Sequence, residues 1–104
     1  MPGIDFDAIR REITMEQVLD LIGFMPTRRN GHQWYGYCPL DDCSATRHRA
    51  FSVNVAIRVY CCHECESKGN HIQLWAAYTQ MSVYPAAIDL CRTLGREVPW
   101  IWRW

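Results

Sequence analysis

The chain has 104 residues, enough for one compact domain with a modest core and too few for two ordinary ones. Hydrophobic residues make up 49% of it and charged residues 21%, which excludes an intrinsically disordered chain. Eleven bases balance eleven acids, so net charge steers the chain neither to nucleic acid nor to membrane, and no apolar run approaches the ~20 residues of a membrane span.

Met1-Pro2-Gly3-Ile4-Asp5 has neither the basic region nor the apolar stretch of a secretion signal, which predicts a cytoplasmic location. Asp5 is placed to cap a first helical turn through Ala8-Ile9-Arg10-Arg11. Thr14 and Gln17 form a capping-box pair ahead of a helix over Met15–Ile22, and Gly23 suits its left-handed stop. Met15, Val18, Leu19 and Ile22 fall at the spacing of one buried stripe. Pro26-Thr27-Arg28-Arg29-Asn30-Gly31 reads as a turn-rich loop in which Asn30-Gly31 is the strongest hairpin signal. Trp34–Tyr37 is aromatic and strand-like, whereas the polar stretch Asp41–Arg49 has no clear period.

Phe51, Val53 and Val55 alternate with Ser52 and Asn54, the pattern of a half-buried strand. Ile57 and Val59 carry the alternation on against Arg58 and Tyr60, with a hairpin turn near Asn54–Ile57. Gly69-Asn70 then opens a helix from about His71 to Tyr78, with Ile72, Leu74, Trp75 and Tyr78 on its core face. Pro85 stands near the first turn of a further helix, Ala86–Leu94, which Gly95 stops. Trp100, Trp102 and Trp104 alternate along the tail, so they line one face of an extended segment that either closes the core or docks on a partner.

Six cysteines in a small chain with no export signal call for a metal rather than disulfides. Cys62-x2-Cys65 is a tight knuckle and Cys38-x4-Cys43 a looser one, with 18 residues between Cys43 and Cys62. Zinc takes four tetrahedral nitrogen or sulfur ligands in a closed structural site, and two knuckles joined by a hairpin supply them as a zinc ribbon. The expected ligands of one structural Zn²⁺ are Cys38, Cys43, Cys62 and Cys65, with His48 or Asp41 as alternative fourth ligands. Thiolate is the better zinc partner, which favours Cys43. Cys61, next to a ligand on an alternating strand, points to the opposite face, and Cys61 and Cys91 are expected to be buried as small hydrophobes. The expected fold is α+β: a zinc ribbon with a small antiparallel sheet flanked by short N- and C-terminal helices. It forms a single domain over residues 1–104, with N-terminal helices in 1–24, the ribbon in 31–66, C-terminal helices in 69–95 and a Trp-rich tail in 96–104.

Four runs of sequence share an order found in a known family. They are Gly31-His32-Gln33-Trp34-Tyr35-Gly36-Tyr37-Cys38-Pro39-Leu40, Ala50-Phe51-Ser52-Val53, Tyr60-Cys61-Cys62-His63-Glu64-Cys65-Glu66-Ser67-Lys68-Gly69-Asn70-His71-Ile72 and Ser82-Val83-Tyr84-Pro85-Ala86-Ala87-Ile88-Asp89-Leu90. Together they resemble the Cys-His-Cys-Cys zinc domain of bacterial DnaG-type primases, from about Ile4 to Leu94. The family histidine falls at Asp41, so the ligand type changes or moves to Cys43. The loop from Cys38 to Cys62 is a few residues longer, Arg49-Ala50 replaces a proline, and Asn70 stands where the family has an acid. The resemblance implies a module that contacts single-stranded template beside a separate primase, polymerase or other replication protein.

The residues themselves offer a basis for such contact. Residues 26–75 carry six bases (Arg28, Arg29, Arg47, Arg49, Arg58, Lys68) against four acids, while the flanks carry five against seven. Continued alternation would put Ser52, Asn54, Arg58 and Tyr60 on one face, opposite Phe51, Val53, Val55, Ile57 and Val59. With Trp34 or Tyr35 for stacking, the candidate nucleic-acid residues are Arg28, Arg29, Trp34, Arg47, Arg49, Asn54, Arg58, Tyr60 and Lys68. The partner is single-stranded DNA, with RNA as the alternative and no membrane. The plainer reading is that Trp34 and Tyr60 pack the core and the arginines solvate loops. An assembly adaptor using the tryptophan tail is the competing function, and a redox enzyme using Cys61 or Cys62 a more distant one. The chain is expected not to be an enzyme by itself: its acids are scattered on flanking helices, and a four-thiolate zinc keeps no open position for water. His32 is expected at a hairpin tip, His63 inside the knuckle and His71 in contact with solvent or a phosphate.

Overall fold

A computed structural model of the chain describes residues 3–40 and 50–101. In chain order the elements are β1 (Gly3–Ile4), α1 (Phe6–Glu12), α2 (Met15–Ile22), β2 (Arg28–Asn30), β3 (Gln33–Gly36), β4 (Phe51–Asn54), β5 (Val59–Cys62), β6 (Lys68–Asn70), α3 (His71–Thr79), α4 (Val83–Thr93) and β7 (Trp100–Ile101). The fold is α+β, as the sequence predicts. Its two sheets are a five-stranded antiparallel one in the order β2-β3-β4-β5-β6 and a two-stranded ribbon of β1 with β7.

The helix ends follow local chemistry. The Asp5 carboxylate accepts from the Ala8 amide at 3.1 Å and starts α1. Thr14 and Gln17 close a capping box on α2, each side chain accepting from the other's amide, and Gly23 ends the helix at φ +80°. Met15, Val18 and Leu19 of the predicted stripe are buried and Ile22 is half-buried at its end. Asn70 and Gln73 make a second capping box on α3. α4 begins at Val83, three residues earlier than the sequence pattern implies. Pro85 still lies in its first turn, where a missing N–H leaves no intrahelical bond unmade. The Trp75 indole donates to the Asp89 carboxylate at 2.9 Å and ties α3 to α4.

The register sorts the sheet into two faces. One cross-strand row runs Arg28–Tyr35–Ser52–Cys61–Lys68, and beside it on the same face runs Asn30–Gln33–Asn54–Val59–Asn70. The other face carries Arg29, Trp34, Val53 and Tyr60, and one step along, Phe51 and Cys62. Phe51, Val53, Tyr60 and Cys62 are buried with Ile72, Leu74 and Leu90 of the helices in one core, so the helices cover this face and not the first, the open face, where Arg28, Val59 and Lys68 are exposed although Ser52 is buried.

Three expectations are corrected. Tyr60 does not share a face with Ser52 and Asn54: it pairs with Val53, points into the core and is 4% exposed. The cause is the four-residue connection 55–58, because an even-numbered turn pairs odd positions of one strand with even positions of the next. Val55 and Ile57 accordingly leave the strand, with Ile57 67% exposed, and Val59 moves to the open face. Arg28–Asn30, read as loop, is an edge strand, and the hairpin loop is Gly31-His32 with Gly31 at φ +63°. β6 and the β1–β7 ribbon have no clear sequence signal, being only three and two residues long.

Gly69 occupies a position that strongly favours glycine. It sits at φ +150°, and a Cβ there would stand 2.3 Å from Oε1 and 2.8 Å from Cδ of Gln73, the side chain that completes the α3 capping box. Gly69→Ala is expected to combine backbone strain with a disturbed cap, costing about 1–3 kcal/mol, read as a lowered midpoint in thermal denaturation.

Candidate metal centre and open sheet face

β3 runs out toward Cys38, and β5 ends at Cys62 before the chain turns back into β6 through Cys65. The turn is held at both ends: the His63 amide donates to the Ala50 carbonyl at 2.8 Å, and the Cys62 amide donates to the Ser67 carbonyl at 2.8 Å. Within it, Glu66 takes a left-handed conformation at φ +61°. The result brings Cys38 together with Cys62 and Cys65, which lie more than 20 residues further along the chain. The sulfurs of Cys38, Cys62 and Cys65 all lie within 4.8 Å of one another, and those of Cys38 and Cys65 are 3.9 Å apart. Sulfurs bound tetrahedrally at ~2.3 Å from zinc stand about 3.8 Å from each other, so the spacing and the soft donors both fit Zn²⁺. Cys62 is fully buried, and Cys38 and Cys65 are half-buried.

Cys43, His48 and Asp41, the candidates for the fourth ligand, lie outside the described residues, as do Arg47, Arg49, Trp102 and Trp104. Cys61 points to the open face, away from Cys62, as its place on an alternating strand predicts. It is half-buried there rather than fully enclosed, whereas Cys91 is buried and its thiol is pushed up by that burial.

Around the thiols the core supplies a rigid wall. Tyr60 stacks on Phe51 with centroids 5.8 Å apart, Phe51 packs on Phe24 at 5.1 Å, and the Tyr60 hydroxyl is 2.7 Å from the Ser67 hydroxyl. Burial pushes the Tyr60 phenol above its ordinary pKa, against the pull of that hydrogen bond.

The structure splits the predicted nucleic-acid residues into groups. Arg28 and Lys68 are exposed at opposite edges of the open face, at the two ends of a single cross-strand row. Four strand intervals of about 4.8 Å separate them, about 19 Å in all. Tyr35 is the half-buried aromatic of that row, next to Arg28. Asn54 belongs to the same face, but its Oδ1 accepts from the Ala56 and Ile57 amides at 3.0 and 3.2 Å and shapes the turn. Arg58 is half-buried in that turn, at φ +57°. Arg29 and Trp34 are on the reverse face, where the guanidinium lies 4.2 Å from the indole centroid. Tyr60 is in the core.

His71 departs furthest from expectation. It is 1% exposed, with neither ring nitrogen in a hydrogen bond. Burial, and next the Arg58 charge, hold its pKa down at about 4, with the Ile13 and Ile9 carbonyls nearby opposing the shift and Arg10 adding to it. The only hint in the sequence is its place one residue before Ile72, on a helix whose first turn packs inward.

The sequence matches the family model of the CHC2 zinc finger, the zinc ribbon of DnaG-type proteins, over residues 3–101. The fold is similar to that of the Aquifex aeolicus primase, in a structure of its zinc-binding and RNA polymerase domains, with a TM-score of 0.72 at 23% identity. That likeness covers 91% of this chain and 22% of the primase chain. No curated protein sequence matches this one.

Proposed function

The chain belongs to the CHC2 zinc-finger family, and from that membership we propose that it is a zinc-dependent module that binds single-stranded DNA in primer synthesis or replication. Cys38, Cys62 and Cys65 hold the ion, with Cys43 as the fourth ligand. Zinc in a closed thiolate site supplies a cross-link between the two halves of the ribbon, not a reactive water. The chain spans 22% of the primase it resembles, so nucleotide transfer, where it occurs, falls to another polypeptide or domain.

The observation that carries the binding reading is the row Arg28–Tyr35–Ser52–Cys61–Lys68 on the sheet face that the helices leave open. It offers a cation at each end and a half-buried aromatic for a base, with the half-buried Cys61 and the buried Ser52 between them. A strand laid along the row crosses the β-strands, with its phosphates at Arg28 and Lys68 and a base on Tyr35. Arg58 stands at the rim of the same hairpin. Four thiolates around Zn²⁺ leave a local charge of about −2, which offsets nearby bases and keeps the electrostatic attraction modest.

Fluorescence anisotropy with a labelled single strand, repeated across salt concentrations, tests this reading. Wild type is expected to lose affinity as salt rises. Arg28→Ala and Lys68→Ala should each weaken binding and lower the salt slope by about one, whereas Tyr35→Ala should cost about 1–3 kcal/mol. Absence of binding even at low salt would overturn it. That result would favour an assembly adaptor, for which Met81, Val83 and Tyr84, exposed around the turn from α3 to α4, provide an apolar surface.

A further inference from the structure

We infer that Tyr60 is a positioning residue for the zinc site, acting through Ser67 to hold the second knuckle in its metal-ready shape. This rests on the zinc reading above and adds to it a residue that is not itself a ligand.

The connection runs through hydrogen bonds. The Tyr60 ring is fixed between strands of the core by Phe51, and Phe51 in turn by Phe24. Its hydroxyl reaches Ser67 Oγ at 2.7 Å. The carbonyl of the same Ser67 accepts the Cys62 amide at 2.8 Å, so one residue joins the buried phenol to the backbone of a ligand. Ser67 lies two residues beyond Cys65, and Glu66 between them is left-handed without being glycine. Such a conformation persists where the surroundings over-determine it. Here the clamps are the Cys62–Ser67 backbone bond on one side and the Tyr60–Ser67 hydroxyl pair on the other.

An apolar ring at position 60 would fill the core equally well. The hydroxyl therefore serves the turn and not the packing. Groups behind the direct ligands orient them, and their loss commonly lowers metal affinity 10–100-fold. Without the phenol hydroxyl, the turn from Cys65 to Ser67 can relax, and the sulfurs of Cys62 and Cys65 lose their preset spacing.

The experiment measures zinc affinity and zinc release of the full chain against a chromogenic chelator, for wild type, Tyr60→Phe, Ser67→Ala and the double variant. Each single variant is expected to hold zinc about 10–100-fold more weakly. The double variant should lose no more than the larger single loss, because both changes break one link. Tyr60→Phe with wild-type affinity and release would overturn the inference whatever its melting temperature, because the hydroxyl would then have no bearing on the metal. Additive losses would also overturn it, by showing that the two residues act separately. Wild-type protein with no stoichiometric zinc would sink the metal reading itself, and the inference with it.

Discussion

Cys62→Ser is expected to release the zinc and to abolish cooperative folding. Among the described thiols of the cluster Cys62 alone is fully buried, and it sits on β5 directly across from Phe51 at the centre of the core. Structural zinc in small fingers is bound with about 10–16 kcal/mol of apparent free energy, as large as the whole stability of a typical domain at about 5–15 kcal/mol. A serine there removes a thiolate and puts a hydroxyl in an apolar site, so both the metal and the core lose support. Metal analysis by plasma emission should fall from one zinc per chain to a small fraction. Circular dichroism should show loss of the native spectrum and of a sharp thermal transition. Cys61→Ser is the control: the same chemical change one residue earlier, on the open face, should leave zinc content intact. One zinc per chain and a native spectrum in Cys62→Ser would refute the site.

The second large effect is acid instability centred on His71. Its folded pKa of about 4 lies below the ordinary 6.5, so the unfolded chain takes up the proton first as pH falls. Stability is thus unaffected above about pH 6.5, declines between there and about pH 4, and by then has lost about 3 kcal/mol. Zinc thiolates also protonate in acid and add their own loss, so the comparison must isolate the imidazole. His71→Leu keeps an apolar side chain in the same space and removes both unbonded nitrogens. The difference in unfolding free energy between pH 7 and pH 4.5, from urea titration, should be smaller in His71→Leu than in wild type by about 2 kcal/mol or more. At pH 7 the variant should be at least as stable as wild type, because an orphaned buried polar group is costly. Parallel pH profiles would show that the ring finds its partners when protonated.

Local chemistry made much of the fold readable in advance. Asp5, Thr14 with Gln17, Gly23 and Asn70 announce helix ends because a cap is a contact between residues three or four apart, and the structure closes each of them. The Cys62–Cys65 knuckle is equally legible: a tight x2 spacing constrains the two residues to one turn whatever surrounds them. The sequence pattern puts Tyr60 on the wrong face for a reason of parity rather than propensity. Alternation is reliable along a strand, but the length of the turn between strands decides which parity continues on the same face. The burial of His71 is not legible in the sequence because the first turn of a helix has no fixed exposure until a neighbouring element covers it.

Residue order by itself determined the capped helices, the α+β character, the Cys62–Cys65 knuckle and the family to which the chain belongs, since all of these depend on neighbours close along the chain. Tertiary structure alone decided which face of the sheet is open, that Arg28 and Lys68 end one row on it, and that Tyr60 stands behind the zinc site instead of in front of the sheet. The physical reason is that cross-strand register and burial are set by how separate segments pair and pack, beyond the reach of any rule about near neighbours: Trp34 meets Val53, and Cys38 meets Cys65.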